Sequence, residues 1–130
     1  QSLFDSYHRR GELPVISPAV DCYNALSVAS GLSLGAHDLR AVSGGVRLTL
    51  SRGGEAFCPL GSEKRQTLPA GDYIYRDDEA VLCRMDYRQA RHSVLVPDTT
   101  DALFIVQGHD AVPRDYIAGV ARELRRCLTP

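Results

Sequence analysis

Residues 46–60 read VRLTLSRGGEAFCPL, and within them the hydrophobic spacing is alternating rather than helical. Every second residue from Val46 to Leu50 is apolar, as in a strand with one buried face. Gly53–Gly54 then predict a turn, and EAFCPL (residues 55–60) is predicted to be the antiparallel partner strand. This part of the chain is therefore predicted to be a β-hairpin.

The N-terminal side of this hairpin is predicted to be helical. Ser17 and Pro18 form a helix start, because serine caps free amide groups and proline fits the first helical position. The helix is expected to end at Gly31, and the residues from there to Leu39 are expected to form a loop. A further short helix is predicted over residues 2–12.

The C-terminal side is predicted to contain more strands and then an amphipathic helix. Residues 61–72 are predicted to be a polar loop. Further strands are predicted at 72–77, 80–87, 93–97 and 102–108, the last of them buried and central, and a helix at 113–128.

The clustering of the strands favours an α+β fold over a parallel α/β sheet. We expect one compact domain over residues 1–130, with mostly antiparallel, sandwich-like sheets and flanking helices. A lead-in at 1–13, a core at 14–108 and a C-terminal helix at 110–130 are its expected parts. The chain opens on Gln1 instead of Met, which predicts a shortened N-terminus.

Composition excludes several classes of protein. A hydrophobic content of 44% with 24% charged residues is typical of globular chains. No apolar run approaches the roughly 20 residues of a membrane helix, so no membrane partner is expected. The net charge of -1 argues against DNA binding and confines any RNA contact to a local patch.

The numbers and spacing of the arginines and cysteines allow further predictions about ligands and redox state. Arginine outnumbers lysine 14 to 1. Codon bias is the preferred explanation because the arginines are spread along the chain, and phosphate or carboxylate contacts are the alternative. The four cysteines form no C-x-x-C pair, so no zinc, other metal or cofactor is expected. They are predicted to be reduced and buried in a cytoplasmic protein of undetermined oligomeric state.

Four segments, covering about residues 14 to 108, have a distinctive combined pattern. In chain order, they are PAVDCYNALSVASGLSLGAHDL, RLTLSRGGEAFCPLG, DYIYRDDEAVLCRMDYRQ and PDTTDALFIVQG. Together they resemble the B3/B4 domain of the β subunit of bacterial phenylalanyl-tRNA synthetase, and they resemble free-standing proteins built on that domain more closely. The resemblance implies a compact mixed β-structure and an editing activity that hydrolyses the ester of mischarged tRNA.

The editing residues implied by the resemblance are only partly present. Asn24 matches the synthetase asparagine, but Gly35 stands where the synthetase has its histidine. His37 lies two residues further on. Ile105 replaces the synthetase glutamate, and Gln107 would project from the same strand face.

The substrate pocket of the synthetase is also altered. Its small-residue wall falls near Met85 and Asp86, which are bulkier and more polar. Tyrosine specificity is therefore not expected to carry over.

The candidate catalytic residues are His37, Asn24 and Gln107. His37 is the best candidate to hold or activate a water molecule, and the alternative is a surface histidine. Asp38 either contributes to the site or braces the loop through backbone amides. Tyr23 is assigned to the substrate pocket, with a core or rim position as the alternative.

A second group of candidates is predicted to hold the 3′ end of an RNA. Arg84, Asp86 and Arg88 are expected to share one strand face, with Gln89 beside them and Tyr87 available for stacking. The alternative is a solvated sheet face with ordinary ion pairs. These assignments predict a tRNA-binding domain that hydrolyses mischarged aminoacyl-tRNA, with a non-catalytic module for RNA or an amino-acid-like ligand as the alternative.

Overall fold

A computed structural model describes residues 17–85 and 87–129. The predicted helix at 2–12 and the candidate residue Asp86 lie outside these ranges. The helices are α1 (Pro18–Ser30) and α2 (Arg114–Leu128), with short 3-10 helices at Leu39–Ala41 and Arg91–Ser93. The strands are β1 (Ser33–Asp38), β2 (Arg47–Arg52), β3 (Ala56–Phe57), β4 (Gln66–Thr67), β5 (Ala70–Arg76), β6 (Val81–Arg84), β7 (Arg88–Gln89) and β8 (Ala102–Gln107).

These elements confirm the predicted α+β class, with helices before and after a set of antiparallel strands. The chain divides into two compact units. Of the described residues, unit 1 comprises 17–36 and 104–129, and unit 2 comprises 37–85 and 87–103. The chain passes from one unit to the other within β1 and within β8, which pair as a two-stranded sheet.

The two helices of unit 1 begin and end close to their predicted positions. Ser17 caps α1 by accepting a hydrogen bond from the Val20 amide at 3.2 Å. Gly31 ends it with φ of 75°, a left-handed conformation that glycine adopts without a steric penalty. In α2, Val120 and Leu124 are the buried residues, as the amphipathic pattern predicts.

The four-stranded sheet of unit 2 has the order β2-β5-β6-β7. Thr49 of β2 is the register partner of Ile74 of β5, whose side chain is fully buried. The opposite face of β2 carries Leu48 and Leu50, which are 47% and 50% exposed. The alternation predicted for β2 is therefore present, but its apolar side is the exposed one. The core of unit 2 consists of Phe57, Leu68, Ile74, Val81 and Ala90.

The predicted hairpin partner of β2 was wrong. Gly53 and Gly54 have φ of 95° and 89°, and the chain after them turns away from β2. The Glu55 carboxylate accepts the Arg52 amide at 2.9 Å, so a side chain takes the bond that a partner strand would make. β2 pairs with β5 instead, and β3 pairs with β4, a strand inside the segment predicted to be a polar loop.

Other strand predictions also need correction. The predicted loop after Gly31 contains β1, which pairs with β8. The predicted strand at 93–97 is not a strand, because the chain forms a 3-10 helix at Arg91–Ser93 and then extends without a partner strand. Strand β8 is half-buried along its length in a two-stranded sheet, so it is not a buried central strand.

The cysteines differ from the predicted reduced state. Cys22 of α1 forms a disulfide with Cys127 of α2, which links two segments 105 residues apart in sequence. Cys58 and Cys83 are free and partly exposed. Residue spacing gave no indication of this pairing, because it depends on which faces of the two helices lie close together in space.

Candidate functional site

Strand β1 ends in a buried histidine. The side chain of His37 is 2% exposed, and its Nδ1 lies 2.8 Å from Oγ of the fully buried Ser93. Nε2 of Gln89 lies 3.4 Å from the same ring nitrogen. The structure therefore places two of the predicted site residues, His37 and Gln89, side by side. Ser93, the third member of this cluster, was not predicted.

Burial keeps the imidazole of His37 neutral. Burial, followed by the electrostatic interaction with His92, lowers the pKa of His37 to about 4. Nδ1 is engaged by Ser93, so Nε2 is the nitrogen left for another partner. In one tautomer Nδ1 donates to Ser93, and Nε2 then carries the free lone pair that a base requires. In the other, Nδ1 accepts hydrogen bonds from Ser93 and from the Gln89 amide, and Nε2 carries the proton.

Asp38, the next residue, braces its own loop. Its carboxylate accepts hydrogen bonds from the Arg40 amide at 2.9 Å, the Arg40 guanidinium at 2.8 Å and the Thr99 hydroxyl at 2.7 Å. Hydrogen bonds from the Arg40 side chain, and then from Thr99, hold the pKa of Asp38 far below its usual range. These contacts favour the bracing alternative for Asp38 over a role in substrate binding.

Arg84 and Arg88 lie next to each other, but not along one strand. The chain turns between β6 and β7, so Arg84 and Arg88 are cross-strand partners. The prediction of one continuous strand over 80–87 was therefore wrong, although the two arginines remain neighbours. Arg84 forms an ion pair with Asp72 at 2.8 Å, and its guanidinium lies 5.2 Å from the centre of the Tyr87 ring.

The remaining donors of this hairpin are partly engaged. Arg88 donates to the Leu60 carbonyl at 2.9 Å. Tyr87 is 45% exposed, and its hydroxyl lies 3.3 Å from the Gln66 side-chain amide. An exposed aromatic ring beside a guanidinium is suited to base stacking. The half-buried ion pair between Arg84 and Asp72 also fits the alternative of a sheet face with ordinary ion pairs.

The other three candidates belong to unit 1. Asn24 is buried in the middle of α1 at 9% exposure. Tyr23 makes an edge-on contact with Phe104, with ring centres 6.2 Å apart, and burial raises the pKa of its hydroxyl. The Gln107 side-chain amide donates to the Gly108 carbonyl at 2.7 Å. Tyr23 therefore contacts an aromatic ring of β8, as its core alternative predicts.

Comparison with known proteins establishes the family. The B3/4 domain family matches residues 1–125. The chain belongs to the B3/4 domain family. It is similar to a protein named phenylalanine--tRNA ligase beta subunit from Mycolicibacterium paratuberculosis, with 31% identity over 114 residues. The match covers 88% of this chain and 13% of that relative, so the chain spans about an eighth of the relative's length.

This B3/4 domain also contains two adjoining cavities that the sequence did not reveal. The larger, in unit 2, has a volume of about 790 Å³, and none of the eight predicted site residues that the structure describes lines it. The smaller, of about 250 Å³, shares Glu55 and Arg76 with it. The arginines at both ends of β2 could have indicated a binding surface, but arginines are spread evenly along the chain, so these two did not stand out.

The described part of the B3/4 domain has neither a metal-binding cluster nor a membrane-spanning helix. Between residues 17 and 129, Asp86 excepted, no cluster of three or more histidine, cysteine or acidic side chains is arranged to hold a metal ion. In the same residues, no helix has both the length and the apolar character needed to cross a bilayer.

Proposed function

We propose that this chain is a B3/4-type tRNA-binding domain that hydrolyses the ester of mischarged aminoacyl-tRNA. Family membership and the similarity to a phenylalanine--tRNA ligase beta subunit support a role connected with tRNA. The single observation that carries the hydrolytic part is the 2.8 Å contact between His37 Nδ1 and Ser93 Oγ. It fixes the imidazole ring and leaves Nε2 for water.

In the proposed reaction, the water oxygen bonds to the ester carbonyl carbon while His37 Nε2 takes one proton from that water. The bond between the carbonyl carbon and the ribose oxygen then breaks. The proton held by His37 passes to the departing ribose oxygen, giving a free amino acid and a tRNA with its terminal hydroxyl restored. Ser93 acts as a positioning residue, because its hydroxyl contacts Nδ1 of the imidazole and not the nitrogen proposed to face the water.

The lowered pKa of His37 is compatible with this role. A group with a pKa of about 4 is neutral at pH 7 and available as an acceptor, although it is a weak base. An aminoacyl ester is an activated substrate, so positioning of the water supplies much of the rate. Arg84, Arg88 and the exposed ring of Tyr87 are the proposed contacts for the nucleotide at the RNA 3′ end.

A non-catalytic module for RNA or an amino-acid-like ligand is the second candidate. Gly35 and Ile105 stand where the resemblance implies a histidine and a glutamate. An added Cβ at Gly35 would meet no atom within 4 Å, so the backbone there does not itself require glycine. The 2% exposure of His37 also favours this candidate, because a hydrolytic water must reach the ring.

The test is deacylation of a panel of tRNAs, each charged with a labelled, wrong amino acid. We expect the wild-type protein to release the amino acid from at least one of them. His37→Ala should lower that rate about 10²- to 10⁴-fold, the usual contribution of a general base. Ser93→Ala should lower the rate less and should shift the pH profile, because it frees the ring to reorient.

His109→Ala is the matched control, since His109 is an exposed histidine. It should leave the rate unchanged, and circular dichroism should show that every variant is folded. Full activity in His37→Ala would exclude the proposed role of that residue. Tight tRNA binding without ester loss on any tRNA would establish the non-catalytic module instead.

A further inference from the structure

An arginine-lined groove runs along one side of unit 2. The two adjoining cavities form it, and they share Arg76. The groove also contains three glutamates, so it has an excess of two positive charges, whereas the whole chain has a net charge of -1. Its five arginines, which we call the arginine groove, are Arg47, Arg52, Arg65, Arg76 and Arg91.

Most of these guanidinium groups keep their hydrogen-bond donors available. Within residues 17–85 and 87–129, the side chains of Arg52, Arg65 and Arg91 have no ion pair or hydrogen bond, and all three are exposed. Arginines elsewhere in unit 2 differ. Arg40 and Arg84, for example, form 2.8 Å ion pairs with Asp38 and Asp72.

The two remaining arginines of the groove are weakly engaged. Arg47 forms an ion pair with Asp78, in which both side chains are more than half exposed, and donates from Nη2 to the Asp77 carbonyl at 3.3 Å. Arg76 donates from Nε to the same carbonyl at 3.1 Å, which leaves its terminal nitrogens available. An incoming anion can therefore be bound by Arg76 without breaking its existing hydrogen bond.

The acidic residue shared by the two cavities offsets one positive charge of the groove and leaves the excess of two. One carboxylate oxygen of Glu55 accepts the Arg52 amide, and the other is buried without a hydrogen bond. The hydrogen bond from the Arg52 amide is the main cause of the lowered pKa of Glu55. Glu55 thus holds the turn after β2, and Glu63 and Glu79 remain as the acidic groups of the larger cavity.

The length of the groove favours a polymer of phosphates over a single small anion as its ligand. Arg47 and Arg52 are five residues apart on β2, which corresponds to about 16 Å in a strand. The larger cavity extends beyond this strand to Arg65 and Arg91. One phosphate contacts one or two guanidinium groups, whereas a chain of phosphates can contact all five.

We propose that the arginine groove binds the phosphate backbone of an RNA strand, as a positioning surface separate from the residues assigned to ester hydrolysis. The inference rests on the proposed function for the identity of the RNA, which is tRNA. Phosphate contacts of this kind fix the position of the nucleic acid without reading its sequence.

The experiment measures the affinity of the whole chain for a fluorescently labelled, uncharged tRNA transcript over a range of salt concentrations. The groove variant is Arg52→Gln, Arg65→Gln and Arg91→Gln together, because these three side chains are exposed. We expect it to bind at least 10-fold more weakly at low salt. The slope of log affinity against log salt should fall by about 2, as the loss of three phosphate contacts requires.

The matched control is Arg114→Gln, Arg122→Gln and Arg125→Gln, three exposed arginines of α2. It removes the same charge and should keep the wild-type slope. An equal loss in both variants, or an unchanged slope in the groove variant, would overturn the proposal. So would polyglutamate bound as tightly as the tRNA, or inorganic phosphate bound at the groove with no tRNA binding.

Deacylation assays separate this proposal from the proposed function. Groove-dependent tRNA binding by a protein that cleaves no ester would support the groove and reject hydrolysis. If the protein cleaves the ester but the groove substitutions leave its tRNA affinity unchanged, the groove proposal is rejected and the hydrolysis proposal stands.

Discussion

A buried histidine that is neutral in the folded protein links the stability of unit 2 to pH. The pKa of His37 is about 4 in the folded chain and near 6.5 in the unfolded chain. Between these pH values, the unfolded state binds the additional proton. The stability contribution is therefore complete above about pH 6.5 and is lost as the pH falls toward 4.

We predict that His37→Gln will weaken this pH dependence. Between pH 7.5 and 4.5, the wild-type free energy of unfolding should fall by up to about 3 kcal/mol more than that of the variant. Urea unfolding at the two pH values measures the difference. His109→Gln is the control and should behave as the wild type does. Equal pH dependence in His37→Gln and wild type would contradict a neutral, buried His37.

The turn between β5 and β6 depends on one aspartate of an adjacent pair. The Asp77 carboxylate accepts the backbone amides of Ser43 at 2.8 Å, Glu79 at 2.8 Å and Ala80 at 2.7 Å. Its burial opposes ionisation, but these three donors outweigh burial and lower the pKa of Asp77. The carboxylate of Asp78, by contrast, is exposed and forms an ion pair with Arg47.

We predict that Asp77→Ala will destabilise the protein by about 3 kcal/mol, because three backbone amides lose their acceptor. Asp78→Ala, the neighbouring control, should cost less than about 1 kcal/mol, as surface ion pairs do. Urea or thermal unfolding gives both values. Similar losses in the two variants would show that the amides find other acceptors.

The helices were predictable because their ends and their apolar faces depend on residues that are close together in the sequence. The start of α1 at Ser17, its end at Gly31 and the apolar stripe of α2 all follow from local chemistry. The partner of β2 was not predictable in the same way, because EAFCPL and DYIYRD are equally plausible as strands. The choice depends on the backbone after Gly54, which turns β3 away from β2 toward β4.

In the candidate site, too, local sequence features were predictable, whereas contacts between residues far apart in the chain were not. Gln89 was selected as a polar neighbour of Arg84, and the structure also places it beside His37. Ser93 was missed because a serine in an apolar segment gives no signal until the fold brings it 2.8 Å from His37. The arginine groove was missed because its members are scattered from residue 47 to residue 91 and converge only in three dimensions.

The disulfide between Cys22 and Cys127 closes a loop that contains most of the chain. A disulfide stabilises a protein chiefly by restricting the unfolded chain, and the effect grows with the length of the loop it closes. For a separation of 105 residues, we predict that Cys22→Ser with Cys127→Ser lowers the free energy of unfolding by about 4 kcal/mol. Urea unfolding without reductant measures it.

The control for the disulfide is Cys58→Ser with Cys83→Ser, which removes the two free thiols. Because this variant keeps the covalent link between α1 and α2, added reductant should destabilise it and the wild type by similar amounts. Reductant should leave the stability of the Cys22→Ser and Cys127→Ser variant unchanged. Titration of four reactive thiols in wild-type protein unfolded without reductant would show that the disulfide is absent.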